Sequence, residues 1–285
     1  MTTIELHGKK LIIQTSTTTS EIYIKEEEDS ITVTKPDKKP FFTLEREVLV
    51  RGFKSVQHAA AESVIKPEIA SVYLYTKNDS VYFVSTDAFR LSEIRFLLEK
   101  KQDDDVSILI PIKSVGKILR VLESIADVTV DLCVSENNLY FSTETVFIKT
   151  NSVKGVFPDY KGIIPKSFDV DITLRRDDVL VFLKQARFFS DNLNKFSFSV
   201  QGSTHVTLEF SNETVGSTKN TIPAAVKGDV SDLPSFNYRF VHDSLSIISD
   251  ERVIFSLLNN PTKPLMIRGV DSSALTTIIS PLLEK

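Results

Sequence analysis

With 285 residues, 41% hydrophobic and 25% charged, the chain has the balance of a globular protein and the length for two ordinary domains. Its single cysteine, Cys133, excludes a disulfide framework within the chain, and its nine glycines form no phosphate-cradling loop of the Walker or dinucleotide type. The net charge of −4 excludes a uniformly basic surface, although basic residues can still gather along one face of an acidic protein.

In chain order, residues 4–6, 10–15 and 21–24 read as the strands of a small hairpin-type sheet without a helix. The opening MTTIELHGKK has no apolar stretch after its charges, so no secretory signal is expected, and no run approaches the roughly 18 apolar residues that a membrane span needs. Residues 25–29 are an acidic cluster, and 35–40 read as a linker. From there one order of elements recurs four times, starting near Phe41, Val106, Phe168 and Phe236: a short strand, an amphipathic helix, then three strands. The first unit has strand 41–44, a helix over roughly 47–63, and strands 70–76, 81–85 and 92–98. The second has strand 106–111, stopped by Pro111, and a helix from Ile112 with apolar Val115, Ile118, Leu119, Leu122 and Ile125 at helical spacing. Strands 128–134, 139–143 and 146–151 follow, the first turn at 135–138, with Cys133 read as a buried thiol. The third has strand 168–174, a helix over about 177–189, and strands 195–200, 205–210 and 218–224. The fourth has strand 236–238, a helix to Ile248, and strands 253–258, 264–269 and 275–282. Two units make an α+β domain of about 120 residues, helices on one side and antiparallel sheet on the other. The expected divisions are 1–40, 41–165 and 166–285.

Basic residues concentrate on the helices. Arg51, Lys54 and His58 lie on a different face from the apolar Leu49, Phe53, Val56 and Ala60; Lys113, Lys117 and Arg120 stand at i, i+4, i+7; Lys184 and Arg187 are three apart. Such stripes are either ordinary solvated faces or a surface that touches phosphates without reading bases. The histidines His7, His58, His205 and His242 have no metal-ligand spacing, and no Gly-x-Ser-x-Gly elbow occurs, so neither a metal nor a catalytic residue is expected. Asp87 reads as the cap of a turn, with Arg90 paired nearby, and an α+β enzyme using these two residues is the outlying alternative.

Around that turn the sequence resembles a known family. Val84-Ser-Thr-Asp-Ala-Phe-Arg-Leu91 resembles the "ATDGHRL" stretch of the bacterial β sliding clamps, with Ala88-Phe89 in place of Gly-His. Val156-Phe-Pro-Asp-Tyr160, followed by Ile164-Pro165, matches that family's "FPDY…P" link. Phe236-Asn237 matches its last "FN" half-unit, and Ile278-Ile-Ser-Pro-Leu282 stands where the family has a "VMPM"-like tail. The resemblance covers 41–285 in order, and residues 4–24 resemble the final hairpin of the family's first domain. It implies the DNA clamp fold of repeated strand–helix–three-strand half-units, here two complete domains and the remnant hairpin of a third. It further implies a cytoplasmic protein without cofactor that closes head-to-tail with a second copy around duplex DNA, sequence-independently. Arg51, Lys54, Lys66, Lys113, Lys117, Arg120, Lys184 and Arg187 would then face DNA.

The resemblance also implies a hydrophobic cleft for a short motif of the replicative polymerase, the clamp loader and other proteins. Ile69, Thr86, Ala88, Phe89, Arg90 and Leu91 would contribute from the middle of the chain, and Pro158 and Ile163 from the link. Phe240, Pro264, Ile278, Ile279, Ser280, Pro281 and Leu282 would contribute from the end. Gly162 stands where the family often has a basic residue. Phe188 and Phe189, at a helix end, would meet the partner's edge strand around Ile22, unless they are core. The alternatives are a shortened chain with an altered assembly, and a clamp-derived module that binds peptides without encircling DNA.

Overall fold

The computed structural model describes residues 2–24, 42–63, 65–98, 106–135, 138–228, 233–272 and 274–283. The acidic cluster at 25–29 and the linker at 35–40 lie outside these residues. Two compact units are present, Met1–Pro36 and Asp37–Lys285.

The first unit is an antiparallel sheet, β1 (Thr3–His7), β2 (Lys10–Gln14) and β3 (Thr19–Tyr23), in that order. The two-residue turn between β1 and β2 carries Gly8 at φ +59°, a conformation that glycine takes without steric cost. Strand alternation puts Ile4, Leu6, Leu11, Ile13 and Ile22 on one face, through the pairs Ile4↔Ile13, Leu6↔Leu11 and Leu11↔Ile22. Charge sits on the other face, where Lys10 pairs with Glu21 at 3.0 Å and lies over the Tyr23 ring.

The second unit holds the four repeats. The first is β4 (Phe42–Glu45), α1 (Arg46–Val56), β5 (Ser71–Lys77), β6 (Ser80–Thr86) and β7 (Arg90–Leu97). Next come β8 (Ser107–Pro111), α2 (Ile112–Ser124), β9 (Thr129–Ser135), β10 (Asn138–Ser142) and β11 (Phe147–Asn151). The third is β12 (Val170–Arg175), α3 (Arg176–Ala186), β13 (Lys195–Gln201), β14 (His205–Asn212) and β15 (Gly216–Lys227). The last is β16 (Phe236–Asn237), α4 (Tyr238–Ile247), β17 (Arg252–Leu257), β18 (Leu265–Gly269) and β19 (Leu275–Ile279).

The repeats interlock in pairs. β4 opens the first repeat but adds to β9 of the second, while β8 opens the second and adds to β5 of the first. Likewise β12 pairs with β17, and β16 with β13. A repeat alone would leave two sheet edges and an apolar helix face uncovered, so the pair is the unit that buries a core. β4 closes a four-stranded sheet, β11-β10-β9-β4. Twelve other strands run on as β16-β13-β14-β15-β12-β17-β18-β19-β7-β6-β5-β8. The seam in this large sheet is β19 against β7, antiparallel from Leu275↔Ile94 to Ile279↔Arg90.

The α1 helix packs across β6 and β7 with Leu49, Phe53 and Val56 fully buried. Gly52 permits this approach, because a Cβ there would lie 2.6 Å from the Phe83 ring. The sequence points to a longer helix, to about residue 63; the α-helix stops at Val56, with a short 3-10 turn at Gln57–Ala59. The physical reason is that hydroxyls from the sheet take the last carbonyls: Ser92 Oγ donates to Ser55 O at 2.9 Å, and Ser85 Oγ donates to Val56 O. The α3 helix ends similarly early, at Ala186, before a 3-10 turn over Arg187–Phe189.

Candidate functional site

The turn between β6 and β7 is built by its own polar side chains. Asp87 Oδ1 accepts from the amides of Phe89 and Arg90 at 2.9 Å each, the expected cap. Thr86 Oγ1 donates to Arg90 O at 2.7 Å and accepts from Ala88 N at 3.1 Å. Ala88 is held at φ +77°, a region that costs an L-residue about 1–3 kcal/mol. Phe89, the apex, is 65% exposed.

Arg90 ties this turn to the last repeat. Its Nε donates to Asp87 at 2.9 Å, one terminal nitrogen donates to Asp243 on α4 at 2.7 Å, and its guanidinium lies 4.4 Å from the Phe240 ring centroid. His58 belongs to the same neighbourhood: burial pushes its imidazole down to about 4, and the Arg90 charge adds to the effect. Its Nδ1 is buried without a hydrogen-bond partner. His58 is therefore a neutral packed side chain, which corrects its placement among the exposed basic residues of α1. The cations expected to face DNA, by contrast, are solvated: Arg51, Lys54, Lys66, Lys113, Lys117, Arg120, Lys184 and Arg187 are all exposed. Lys54 is paired with Glu123 across α1 and α2 at 2.5 Å.

At the seam the last strand and the turn meet directly. Leu91 pairs with Ile278, Arg90 with Ile279, and Ser280 N donates to Phe89 O at 2.8 Å. Beyond it, Leu282 N donates to Ser235 O at 2.8 Å, which fixes the tail. A cavity of about 600 Å³ opens beside this tail. Ile163, Pro264, Ser280 and Pro281 line it together with Leu258, Leu283 and the rim lysines Lys166 and Lys263. Of the residues expected in the cleft, these first four share the cavity. Leu91, Ile278 and Ile279 are buried within the seam, and Leu91 and Ile278 join one apolar cluster with Phe157, Tyr160 and Met266. Thr86, Ala88, Phe89 and Arg90 form the turn, Phe240 lies under Arg90, Pro158 is exposed on the link, and Leu282 is half-buried. Ile69 is half-buried in the loop after α1, where its carbonyl accepts from Ala61 N at 3.0 Å. Leu258 and Lys263 were missed because they flank the turn at Asn260, where no periodic pattern marks a wall. A second cavity of about 600 Å³, lined by Asp191, Lys195, Glu209 and Asn212 among others, contains none of the expected residues.

Phe188 is 71% exposed at the end of the α3 turn, Phe189 is half-buried, and Ile22 on β3 is 50% exposed. Among the described residues no helix is long and apolar enough to cross a membrane.

Comparison with known proteins fits this geometry to a family. Residues 43–159 match the model of the DNA polymerase III beta subunit, central domain, and residues 161–283 that of the same subunit's C-terminal domain. The beta sliding clamp of Mycoplasma capricolum is 24% identical over 97% of this chain and 73% of its own length. That of Chlamydia muridarum is 26% identical over 74% of the chain, which spans just 57% of that relative. Among solved structures, the DNA polymerase III beta subunit of Thermotoga maritima superimposes with a TM-score of 0.89 at 22% identity, over 100% of this chain and 76% of that one. The sliding clamp of Bacillus subtilis gives 0.87 at 17% identity, over 99% of this chain and 74% of that one. The fold is the clamp fold, and with the two models accounting for nearly all of residues 43–283, the chain belongs to the DNA polymerase III beta subunit family.

Proposed function

We propose that this chain is a sliding clamp of the replicative polymerase that encircles duplex DNA and tethers the polymerase, the clamp loader and other proteins through a peptide cavity. The observation that carries the tethering role is the cavity between the link and the tail that follows β19. Its aliphatic wall of Ile163, Leu258, Pro264 and Pro281, with the polar edge of Ser280, suits an extended peptide with leucine and phenylalanine anchors. Exposed Phe89 and the Arg90 turn stand at the same end of the strand pairing as Ser280, whose amide donates to Phe89 O, and extend the cleft. Ile69, Thr86, Ala88, Leu91, Pro158, Phe240, Ile278, Ile279 and Leu282 serve as its floor and supports.

The remaining roles follow the same reading. Residues 41–165 and 166–285 are the central and C-terminal clamp domains, and 1–40 the last part of a first. Exposed Arg51, Lys54, Lys66, Lys113, Lys117, Arg120, Lys184 and Arg187 touch DNA phosphates diffusely, which holds a duplex without pinning it to a sequence. Ile22 on one copy and Phe188 and Phe189 on another form the contact between protomers of a homodimer. The protein works in the cytoplasm and performs no catalysis of its own. Titration of the isotope-labelled chain with a short peptide carrying leucine and phenylalanine tests the cavity. Saturable shifts of the Ile163 and Leu282 signals below about 100 μM are expected; no shift at about 1 mM would overturn the reading.

A further inference from the structure

The link between β11 and β12 has no secondary structure of its own along the stretch that reaches the cavity, yet it contributes part of the cavity wall. What holds it is a polar and aromatic anchor on the face of the large sheet turned away from α1. Strand alternation sets Tyr73 and Tyr75 of β5, Tyr82 of β6 and Glu93 of β7 on that face, through the pairs Tyr75↔Tyr82, Tyr73↔Val84 and Val84↔Glu93. The rings stack in a ladder: Phe157 on Tyr73 at 4.9 Å, Tyr73 on Tyr75 at 4.8 Å, Tyr75 on Tyr82 at 4.7 Å. Tyr160 is buried at the end of this ladder. Its hydroxyl donates to Glu93 Oε2 and lies 2.7 Å from the Tyr75 hydroxyl. A phenol has one proton to give, so with Tyr160 donating to Glu93 the Tyr75 hydroxyl donates to Tyr160. Lys161 closes the group, 2.6 Å from the same Glu93 oxygen and over the rings of Tyr82 and Tyr160.

The anchor and the cavity are two residues apart. Tyr160 O accepts from Ile163 N at 3.0 Å, closing a turn whose next members, Gly162 and Ile163, line the cavity. We propose that Tyr160 is a positioning residue for the peptide cavity: its hydroxyl, clamped between Tyr75 and Glu93, fixes the turn that sets Gly162 and Ile163 into the wall. This rests on the reading that the cavity takes a peptide. The peptide then meets a wall already ordered, instead of bearing the entropic cost of ordering it. Burial and the neighbouring Glu93 carboxylate push the Tyr160 phenol up, so it remains a donor throughout the physiological range.

The test uses the full chain and the leucine- and phenylalanine-bearing peptide, with Tyr160→Phe, Glu93→Ala and Glu93→Gln. Tyr160→Phe keeps the buried ring and loses only the hydroxyl, Glu93→Ala removes the acceptor, and Glu93→Gln keeps an oxygen that accepts from Tyr160. About tenfold weaker binding is expected for the first two, with binding within about threefold of wild type for Glu93→Gln. Without peptide, the Ile163 amide should exchange its hydrogen faster in Tyr160→Phe while β6 and β7 amides stay protected. A purely structural role would loosen all of them together. Tyr160→Phe binding like wild type with unchanged Ile163 exchange would overturn the proposal. Wild type failing to bind would instead overturn the cavity reading itself.

Discussion

Arg90 shows how one side chain can carry both a local turn and a long-range tie. Only 14% of its side chain is exposed, and it bonds both to Asp87, three positions away, and to Asp243, 153 positions away. Arg90→Ala leaves two carboxylates facing each other at the seam, one of them 39% exposed, so a loss of about 2 kcal/mol in chemical denaturation is expected. Ala88 is strained at φ +77°; Ala88→Gly should stabilise by about 1 kcal/mol in the same assay, since glycine takes this conformation freely. His58 gives a pH signature. Its folded value of about 4 lies below the ordinary 6.5, so as pH falls the unfolded chain takes up the proton first. Stability is thus intact above pH 6.5 and declines between 6.5 and about 4, by up to about 3 kcal/mol. His58→Gln should flatten that slope in pH-dependent denaturation. The pairing of Arg90 with a nearby carboxylate was legible in the spacing of Asp87 and Arg90, whereas Asp243 was not, because nothing local links α4 to the β6–β7 turn. The basic reading of His58 failed for a related reason: helical spacing continued past Val56, but the backbone left the α-helix there.

At the level of elements, helix and strand types were legible because the period changes from 3.6 to 2 in each repeat. Boundaries were less so, and α1 shows why. Its end is set by hydroxyls of β6 and β7 that reach Val56 and Ser55 from more than 25 residues away, a signal that no local window contains. Ser92→Ala removes one of these caps from a part-buried carbonyl, so a cost of about 1 kcal/mol is expected, read by thermal or chemical unfolding. Gly52 is likewise an ordinary glycine in the sequence and a contact point in the fold. Gly52→Ala must displace the fully buried Phe83 ring and should cost about 1–3 kcal/mol despite alanine's better helix propensity.

For the whole molecule, the four-fold recurrence was legible, but the exchange of opening strands between repeats was not. β4 finds β9 and β8 finds β5 over long sequence separations, where several partners would satisfy the same alternation. The same holds for the β7–β19 seam and for the cavity beside the tail that follows it: Ile163, Pro264, Ser280 and Pro281 came from family resemblance, and Leu258 and Lys263 only from the fold. A sequence-independent DNA interface carries its own prediction. Replacing Lys113, Lys117 and Arg120 with glutamine should lower the slope of log affinity against log salt by about 3 while leaving peptide binding unchanged. Encirclement itself is tested most directly by assembling the labelled chain on nicked circular DNA, isolating the complex, and then cutting the circle once. A clamp that surrounds the duplex should stay on the nicked circle and run off when the DNA is made linear. Equal retention before and after the cut, or no retention on either, would contradict it.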